Sequence, residues 1–518
     1  MAGKQRRQKI NQITIIGGGS AGWIMALYLV TKLNRVNKKN VKITLIESPR
    51  IPHIGVGEGT ITGFSHLLKE LDVPEHEFMI ASDATFKCAG RFVGWNLNKQ
   101  GKSTSFLNPF IGGGDLEGFP SYHHYKRFGG EGRSYVDTTQ PTERIVLNAR
   151  SPKIIGDQPY EQRTPYTYHL NAAAFSEQLA SIAKKRGVKY IQDELEDVTL
   201  DENGYISSLQ FEKKKNYPVQ FVVDCTGFRS RILQQALGEP FIPAGDSLLV
   251  DKAIPCPVPH EDPDKILPCT TARAMDGGWM FEVPLYSRLG TGYIYSSQFK
   301  TDDQAWDELS AKLGDRVPKD FNPKVIPMKI GRVKNTWVKN CVGAGLSAGF
   351  IEPLEATALY TIERTARAVV DYFPEYGVDD RAVKQFNKTL NSMYEQLLEY
   401  VVMIYYTSNR PEPFWLASRN DIKVPDSLTE KLELWKHYLP NINDVDNRFF
   451  FTHWSYYFML EGKGFFDRND YPGGGMLSWP AWKEHLAEGH RLFSKVPGAL
   501  PSHKEYLDAL HEYGRSQK

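Results

Sequence analysis

QITIIGGGSAGWIMALYLVTKLNRVNKKNVKITLIE, residues 12–47, is the stretch on which the fold turns. Gln12–Gly17 is a short apolar segment with strand character, SAGWIMALYLVTKL (Ser20–Leu33) has helical spacing, and VKITLIE (Val41–Glu47) is strand-like again. Strand, helix and strand in so short a span make a βαβ unit, which implies a parallel sheet and a right-handed crossover. Between the first strand and the helix stands Gly17-Gly18-Gly19-Ser20-Ala21-Gly22, a GxGxxG loop. Gly17 allows the tight turn, Gly19 lets a pyrophosphate approach the backbone, and Gly22 permits close helix–strand packing. The N–H groups of Ser20, Ala21 and their neighbours then open the helix, where a negative charge is favoured. Glu47 ends the second strand, where an acid accepts hydrogen bonds from ribose hydroxyls. A tight structural turn needs the glycines alone. Strand, helix and terminal acid in register point to a dinucleotide, and the loop by itself does not separate FAD from NAD.

The rest of the chain sets bounds. It has 518 residues, with Lys+Arg 63 against Asp+Glu 61, a formal net charge of +2. Such a balance argues against a dedicated nucleic-acid or anionic-membrane binder. Hydrophobic content of 41% with 24% charge describes a globular chain. Five widely spaced cysteines (Cys88, Cys225, Cys256, Cys269, Cys341) form neither a CxxC pair nor a secreted disulfide framework. Glycines break the apolar N-terminal run well short of a bilayer span, so the expectation is a soluble, cytoplasmic protein. His53 and the doublet His123-His124, on a loop-like stretch, offer no clustered ligand set, and no metal is assigned.

Further strands are expected at Thr85–Trp95, Gln220–Thr226 and Val338–Gly343, with a hairpin of Trp279–Leu285 and Gly290–Ser297. A second glycine cluster, Val342–Gly349, follows a strand and precedes a helix beginning near Pro353. Flavoproteins of the hydroxylase type hold the middle of FAD with such a late strand–loop–helix, and VVDCTGFRS at Val222–Ser230 resembles the short strand and turn they place near the dinucleotide. No second GxGxxG with a ribose acid is present, so a dedicated NAD(P)H domain is not visible. From about Asp379 the chain turns helical and aromatic-rich, with Trp415, Trp435, Trp454, Trp479 and Trp482. The expected fold is α/β (α+β): an FAD-binding, Rossmann-like hydroxylase-type body over residues 1–375 and a mainly helical, aromatic-rich substrate-binding region over 376–518.

Ordered along residues 12–415, the motifs resemble the flavin-dependent tryptophan halogenases. IIGGGSAGW is followed by GVGEGT (Gly55–Thr60), similar to the family's strap between flavin and halogenation site, and by TFKCAGRFVGW (Thr85–Trp95), similar to the strand bearing its catalytic lysine. YHLNAAAF (Tyr168–Phe175), DCTGFRSRIL (Asp224–Leu233) and YYTSNRPEPFW (Tyr405–Trp415) also match. WMFEVP (Trp279–Pro284) stands for the family's WxWxIP box and PLEATA (Pro353–Ala358) for its PLESTG segment. Phe281 replaces the second tryptophan and Val283 the isoleucine, while Ala356 and Ala358 replace serine and glycine.

The resemblance implies a two-component halogenase that uses FAD as FADH2, O2 and a halide (chloride, bromide or iodide). A separate flavin reductase is its partner, a free electron-rich aromatic (an indole, a tryptophan-like molecule or a phenol) its substrate, and a homo-oligomer is allowed. In this chemistry a flavin hydroperoxide oxidises halide to hypohalous acid, which a lysine holds for the substrate. The lysine falls on Lys87. In one continuous strand Lys87, Ala89 and Arg91 share a face opposite Phe86, Cys88 and Phe92, which by itself describes a solvated lysine. Glu355 is the implied assisting carboxylate; its bland reading is an acid in the first turn of a helix starting at Pro353. Carboxylate near ammonium is expected to favour the charged form of both. Thr357 and Ala358 N–H groups offer a halide site at that helix start, with the Ala358 methyl restricting the backbone. Trp279, Phe281 and Pro284 form the implied wall between flavin and substrate, although packing accounts equally for Trp279 and Phe281 on one strand face. Val56, Val198, Leu346 and Leu359 are further implied flavin contacts. Phe110 and Trp454 are candidates for stacking on the substrate, with core packing as an equal account. An FAD-dependent aromatic monooxygenase is the alternative, against which Ala344-Gly345 stands where such enzymes carry Gly-Asp. An FAD-binding scaffold without catalysis is a remote one.

Overall fold

The computed structural model describes residues 9–51 and 57–516. Strand Gln12–Ile16 pairs in parallel with Lys42–Glu47 on one side, Ile13 opposite Ile43, and with Phe221–Asp224 on the other, Ile13 opposite Phe221. Lys189–Gln192 and Cys341–Gly343 extend this parallel sheet at either side, and Trp337–Val338 closes it as an antiparallel edge. Helix Ser20–Leu29 is buried at every residue from Gly22 to Leu29. It lies against helices Ala172–Lys185 and Ala358–Asp371, which is why its sequence is apolar all round rather than striped. Asn171 starts the first of these by accepting the N–H groups of Ala173 and Ala174. After Phe221–Asp224 the buried Asp224 carboxylate accepts Thr226 N–H and hydroxyl, Ser347 hydroxyl, and the N–H groups of Ile232 and Leu233. Those five donors offset its desolvation and lock DCTGFRSRIL beside the glycine loop.

A second, seven-stranded sheet runs Ile326–Pro327, Lys252–Pro255, Leu289–Tyr295, Gly278–Pro284, Cys269–Met275, Ala89–Leu97, Ser103–Pro109, antiparallel except where Cys269–Met275 meets Ala89–Leu97. A small sheet of Gly57–Gly59, Thr167–Asn171 and Thr85–Lys87 lies against it. The single strand expected over Thr85–Trp95 is therefore two strands in different sheets. The chain changes sheet at Cys88, whose N–H is taken by Pro268 O at 2.7 Å. Face alternation does not carry across that break, and Phe86, Lys87, Cys88 and Ala89 are all buried, Lys87 with 3% exposure. Val338–Gly343 likewise is a turn between two strands, reversing through Lys339 at φ +52°. The second glycine cluster forms a short 3-10 turn, Gly345–Ser347, and a two-residue strand, Gly349–Phe350. The following helix starts at Ala358, not near Pro353. His123-His124 sits on helix Tyr122–Phe128 rather than a loop.

Beyond Asp379 the described chain is helical, from Asp380–Tyr406 to His503–Ser516. One apolar cluster includes Ile13, Phe92, Tyr400, Tyr457 and Leu507, so core residues from both sides of residue 375 pack together. Among the described residues no helix is long and apolar enough to cross a membrane.

Gly17 has φ +112°, and a Cβ there would lie 2.2 Å from Cys225 O. Gly17→Ala is expected to cost about 1–3 kcal/mol and to lower Tm in thermal unfolding. An unchanged Tm would mean that the loop relaxes without penalty.

Candidate active site

Two of the cavities among the described residues adjoin each other. The larger, about 510 Å³, is lined by Gly17, Gly19, Ser20, Ala21 and Glu47 from the βαβ unit, and by Gly57–Gly59, Thr270, Trp279, Phe281, Val283, Leu346 and Ala356–Leu359. Its glycine loop suits a dinucleotide. Helix Ser20–Leu29 begins without a side-chain cap, leaving its first amides to a ligand. A Cβ on Gly19 would meet open space, whereas one on Gly18 would lie 2.2 Å from the Glu47 carboxyl carbon. Gly22 packs beneath, its missing Cβ 1.9 Å from Gly17 O, and does not line the cavity. Glu47 accepts the Tyr190 hydroxyl at 2.8 Å. Val198 departs from expectation: on strand Leu195–Leu200 it packs against an apolar cluster that includes Ile16, Ile46, Leu209 and Phe211, and Leu195 is the residue of that strand that lines the cavity. Val56 and His53 lie outside the described residues.

The smaller pocket, about 290 Å³, is lined by Ile61, Thr62, Asn108, Phe110, Glu355, Tyr360, Phe449, Phe450, Trp454 and Phe458 among others. Phe110 and Trp454, chosen from sequence as stacking candidates, thus face the same space. Between the cavities runs a thin partition. Gly59 borders the larger and Ile61 the smaller, while Ala356 borders the larger and Glu355 the smaller. Lys87 sits in this partition, donating from Nζ to Thr60 O at 3.1 Å and lying 5.6 Å from the Phe110 ring centre. Trp279 and Phe281 lie on the larger cavity's side, and Pro284 lines neither space. The wall expected of those three is thus displaced: the segment Gly59–Ile61, Lys87 and Glu355-Ala356 divide the two volumes.

Glu355 lies in a turn ahead of the helix, and Oε1 accepts Asn108 Nδ2 at 3.2 Å. Asn108 also reaches the Tyr400 hydroxyl at 3.3 Å. Burial pushes Lys87 below its ordinary 10.5, with Glu355 opposing. Burial likewise pushes Glu355 above its ordinary 4.5, with Lys87 and Asn108 opposing. The expectation that both would be held in their charged forms is therefore corrected, because desolvation outweighs their attraction. A lysine that loses its proton easily and a glutamate that gains one easily thus stand in the same partition.

Thr357 and Ala358 both line the larger cavity, Thr357 as the residue capping the helix and Ala358 as its first. Among the described residues neither donates its N–H to a backbone carbonyl. Ala358 has ordinary helical backbone, so its methyl restricts nothing there; the left-handed residue is Ala356, at φ +55°. Glu352, unremarked from sequence, is buried at φ +137° and accepts Trp279 Nε1 at 3.3 Å and the Tyr405 hydroxyl at 3.1 Å. Burial raises it to about 8. IEPLEA offers two acids, of which only the second falls in the PLEATA segment; Asn108 carries no sequence signal, and Thr60 none beyond closing GVGEGT.

The family described as tryptophan halogenase matches residues 12–477. The chain is 31% identical to tryptophan 6-halogenase ThaL of Streptomyces albogriseolus, over 97% of this chain and 99% of that one. It is 31% identical to tryptophan 7-halogenase RebH of Lentzea aerocolonigenes, over 98% and 99%. The solved tryptophan halogenase of Shewanella frigidimarina superposes with a TM-score of 0.91 at 29% identity, covering 98% of this chain and 99% of that one.

The buried pair sets a stability prediction. Glu355 costs stability above 4.5, where the unfolded carboxyl ionises, and the cost vanishes at lower pH. Lys87 costs stability below 10.5, where the unfolded amine is protonated, and that cost vanishes at higher pH. The double variant Lys87→Met, Glu355→Gln is expected to be more stable than the parent by about 1–4 kcal/mol near neutrality, with the advantage shrinking towards acid and towards alkali. Tm measured across pH checks this, and a double variant less stable near neutrality would contradict it.

Proposed function

This chain belongs to the tryptophan halogenase family, and on that premise we propose a substrate class and a division of labour among its residues. The enzyme is an FADH2-dependent halogenase that uses O2 and halide and receives reduced flavin from a separate reductase. The larger cavity holds the flavin, with Gly17, Gly19, Ser20, Ala21, Glu47, Leu346 and Leu359 as contacts and the Thr357 and Ala358 amides against the halide. Reduced flavin with O2 supplies the two-electron oxidation of halide (X⁻) to hypohalous acid, HOX. Lys87 receives this small oxidant at the partition, donating an N–H to its oxygen. As the aromatic carbon takes X, the O–X bond breaks, and the released hydroxide takes a proton from the Lys87 ammonium and leaves as water. Glu355 accepts the ring proton and returns one to Lys87, so ArH and HOX become ArX and H2O. The opposed shifts of Lys87 and Glu355 suit that exchange.

The observation that carries the reading is the partition itself. A monooxygenase needs the aromatic beside the flavin, whereas Lys87 and Glu355-Ala356 stand between the two cavities. The substrate we assign to the smaller pocket is a neutral, indole-sized aromatic, with Phe110 and Trp454 stacking on it. Two charged residues line this pocket among those described, Glu355 and Arg448, and Asp446 holds the Arg448 guanidinium in a two-point ion pair. That leaves little to anchor the ammonium and carboxylate of a free amino acid. All five cysteines are unpaired, which supports a reducing, cytoplasmic setting.

The test supplies FADH2 from a reductase, with O2, each halide, and a panel of indoles, tryptophan and phenols. Halogenated indole is expected, with kcat/KM at least about tenfold above that for tryptophan, the factor equivalent to one lost charged contact. Lys87→Ala is expected to lose halogenation by at least about 100-fold while FAD binding persists. Trp279→Ala, which removes a hydrogen bond from the Glu352 carboxyl ahead of Glu355, is expected to lower product per flavin oxidised and to release more peroxide; unchanged yield and leakage would count against that bracing role. Hydroxylated product without halogen would overturn the reading.

A further inference from the structure

His169, fully buried on strand Thr167–Asn171, hydrogen-bonds through both ring nitrogens: Nδ1 with Thr85 Oγ1 at 3.0 Å and Nε2 with Thr270 Oγ1 at 2.9 Å. Hydroxyl counting fixes the polarity of this chain. Thr85 has one hydroxyl hydrogen and gives it to Pro284 O at 2.5 Å, so towards the histidine it accepts. Nδ1 therefore carries the ring proton, Nε2 accepts, and Thr270 gives its only hydroxyl hydrogen to His169. Burial, with Lys87 adding to it, holds His169 well below its ordinary 6.5, so the ring stays neutral. Thr270 is left with lone pairs alone to present elsewhere.

Thr270 lines the larger cavity at the point where it meets Lys87. The position that a Cβ on Gly59 would occupy lies 3.2 Å from Lys87 Nζ, 3.2 Å from Thr270 Oγ1 and 3.3 Å from Ala356 Cβ. By lacking a side chain, Gly59 keeps open a gap walled by an amine, a hydroxyl oxygen that can only accept, and a methyl. The serine usual in the family's PLESTG segment is Ala356 here, so that wall offers no hydrogen bond.

We infer that Thr270 is the acceptor that orients hypohalous acid beside Lys87, and that His169 is a positioning residue acting through it. This rests on the halogenase reading. HOX has one hydrogen, one oxygen and a halogen that must lead the attack. Lys87 donates to the oxygen, the O–H donates to Thr270, and the halogen is the one end left without a hydrogen bond. When X transfers to the ring, the hydroxide keeps its own hydrogen on Thr270, takes the Lys87 proton and departs as water. Were Thr270 free to donate, it would compete with Lys87 for the same oxygen and leave the O–H unheld.

The experiment measures brominated indole formed per flavin oxidised, with escaping hypobromous acid trapped by monochlorodimedone. Thr270→Val keeps the shape and removes the hydroxyl; product per flavin is expected to fall about tenfold, with the trapped fraction rising and FAD affinity and flavin reoxidation rate unchanged. Thr270→Ser restores the ratio, and Thr270→Val with Ala356→Ser recovers part of it from the opposite wall. His169→Gln keeps an acceptor for Thr270 and holds the ratio within about threefold of the parent; in the Thr270→Val background it lowers the ratio no further. A parental ratio in Thr270→Val overturns the inference, as does Thr270→Ser performing no better than Thr270→Val, or a loss that tracks FAD affinity. If the parent enzyme gives no brominated product, the halogenase reading itself fails and takes this inference with it.

Discussion

Holding an amine in a dry partition is the constraint on which the rest of the structure depends. Lys87 is buried with one hydrogen-bond acceptor among the described residues, Thr60 O, and an acid close enough to oppose its desolvation without cancelling it. A charge so placed costs free energy unless it is paired. Its surroundings come from segments remote in sequence: the strand Gly57–Gly59, the small-sheet strand Thr85–Lys87, and the turn ahead of helix Ala358–Asp371. Only a fold that brings a small sheet, a mixed sheet and a helix start to one point can build that partition. The parallel sheet with its glycine loop is the support from which the helix start is positioned, through the packing of Ala358–Asp371 on Ser20–Leu29.

Strain gathers at the same place. Between Glu352 and Ala356 two residues other than glycine take positive φ, +137° and +55°. Glu352 is also buried, with Oε1 lacking a partner among the described residues. Conformations of this kind persist only where surrounding contacts over-determine them, and the Glu352 carboxyl is held by Trp279 and Tyr405. Trp279 thereby gains a role different from a barrier between two cavities. It braces the turn that delivers Glu355 to one cavity and Ala356 to the other.

How much of this was legible beforehand follows from the range of the interactions involved. The βαβ unit was plain because period, glycines and terminal acid all lie within residues 12–47 and describe local geometry. The hairpin Gly278–Pro284 with Leu289–Tyr295 was plain for the same reason. The surroundings of Lys87 were not. Alternation along an unbroken strand assigns it to an exposed face, and the break at Cys88 depends on Pro268, far away in sequence. The helix start was misplaced because Pro353 suits a first turn, yet the chain spends Pro353–Thr357 in a strained turn before the helix begins. Val198 rests on the family resemblance alone, while Leu195 is the residue of strand Leu195–Leu200 that lines the cavity.

The two alanines of PLEATA show why a motif departure has to be weighed by position rather than by residue type. Ala358 in place of glycine changes little in the backbone, since helical φ suits alanine better than glycine. Ala356 in place of serine removes a hydroxyl from the wall of the gap over Gly59 and retains a left-handed residue there. At that gap the hydroxyl comes instead from Thr270, and its polarity is set three hydrogen bonds away by Pro284 O acting through Thr85 and His169. A backbone carbonyl at the end of the strand that bears Trp279 thus determines which atom beside Lys87 can accept a hydrogen bond. The WMFEVP box and the lysine strand are coupled by that hydrogen-bond chain, so the box's last residue contributes its carbonyl where its ring reaches neither cavity.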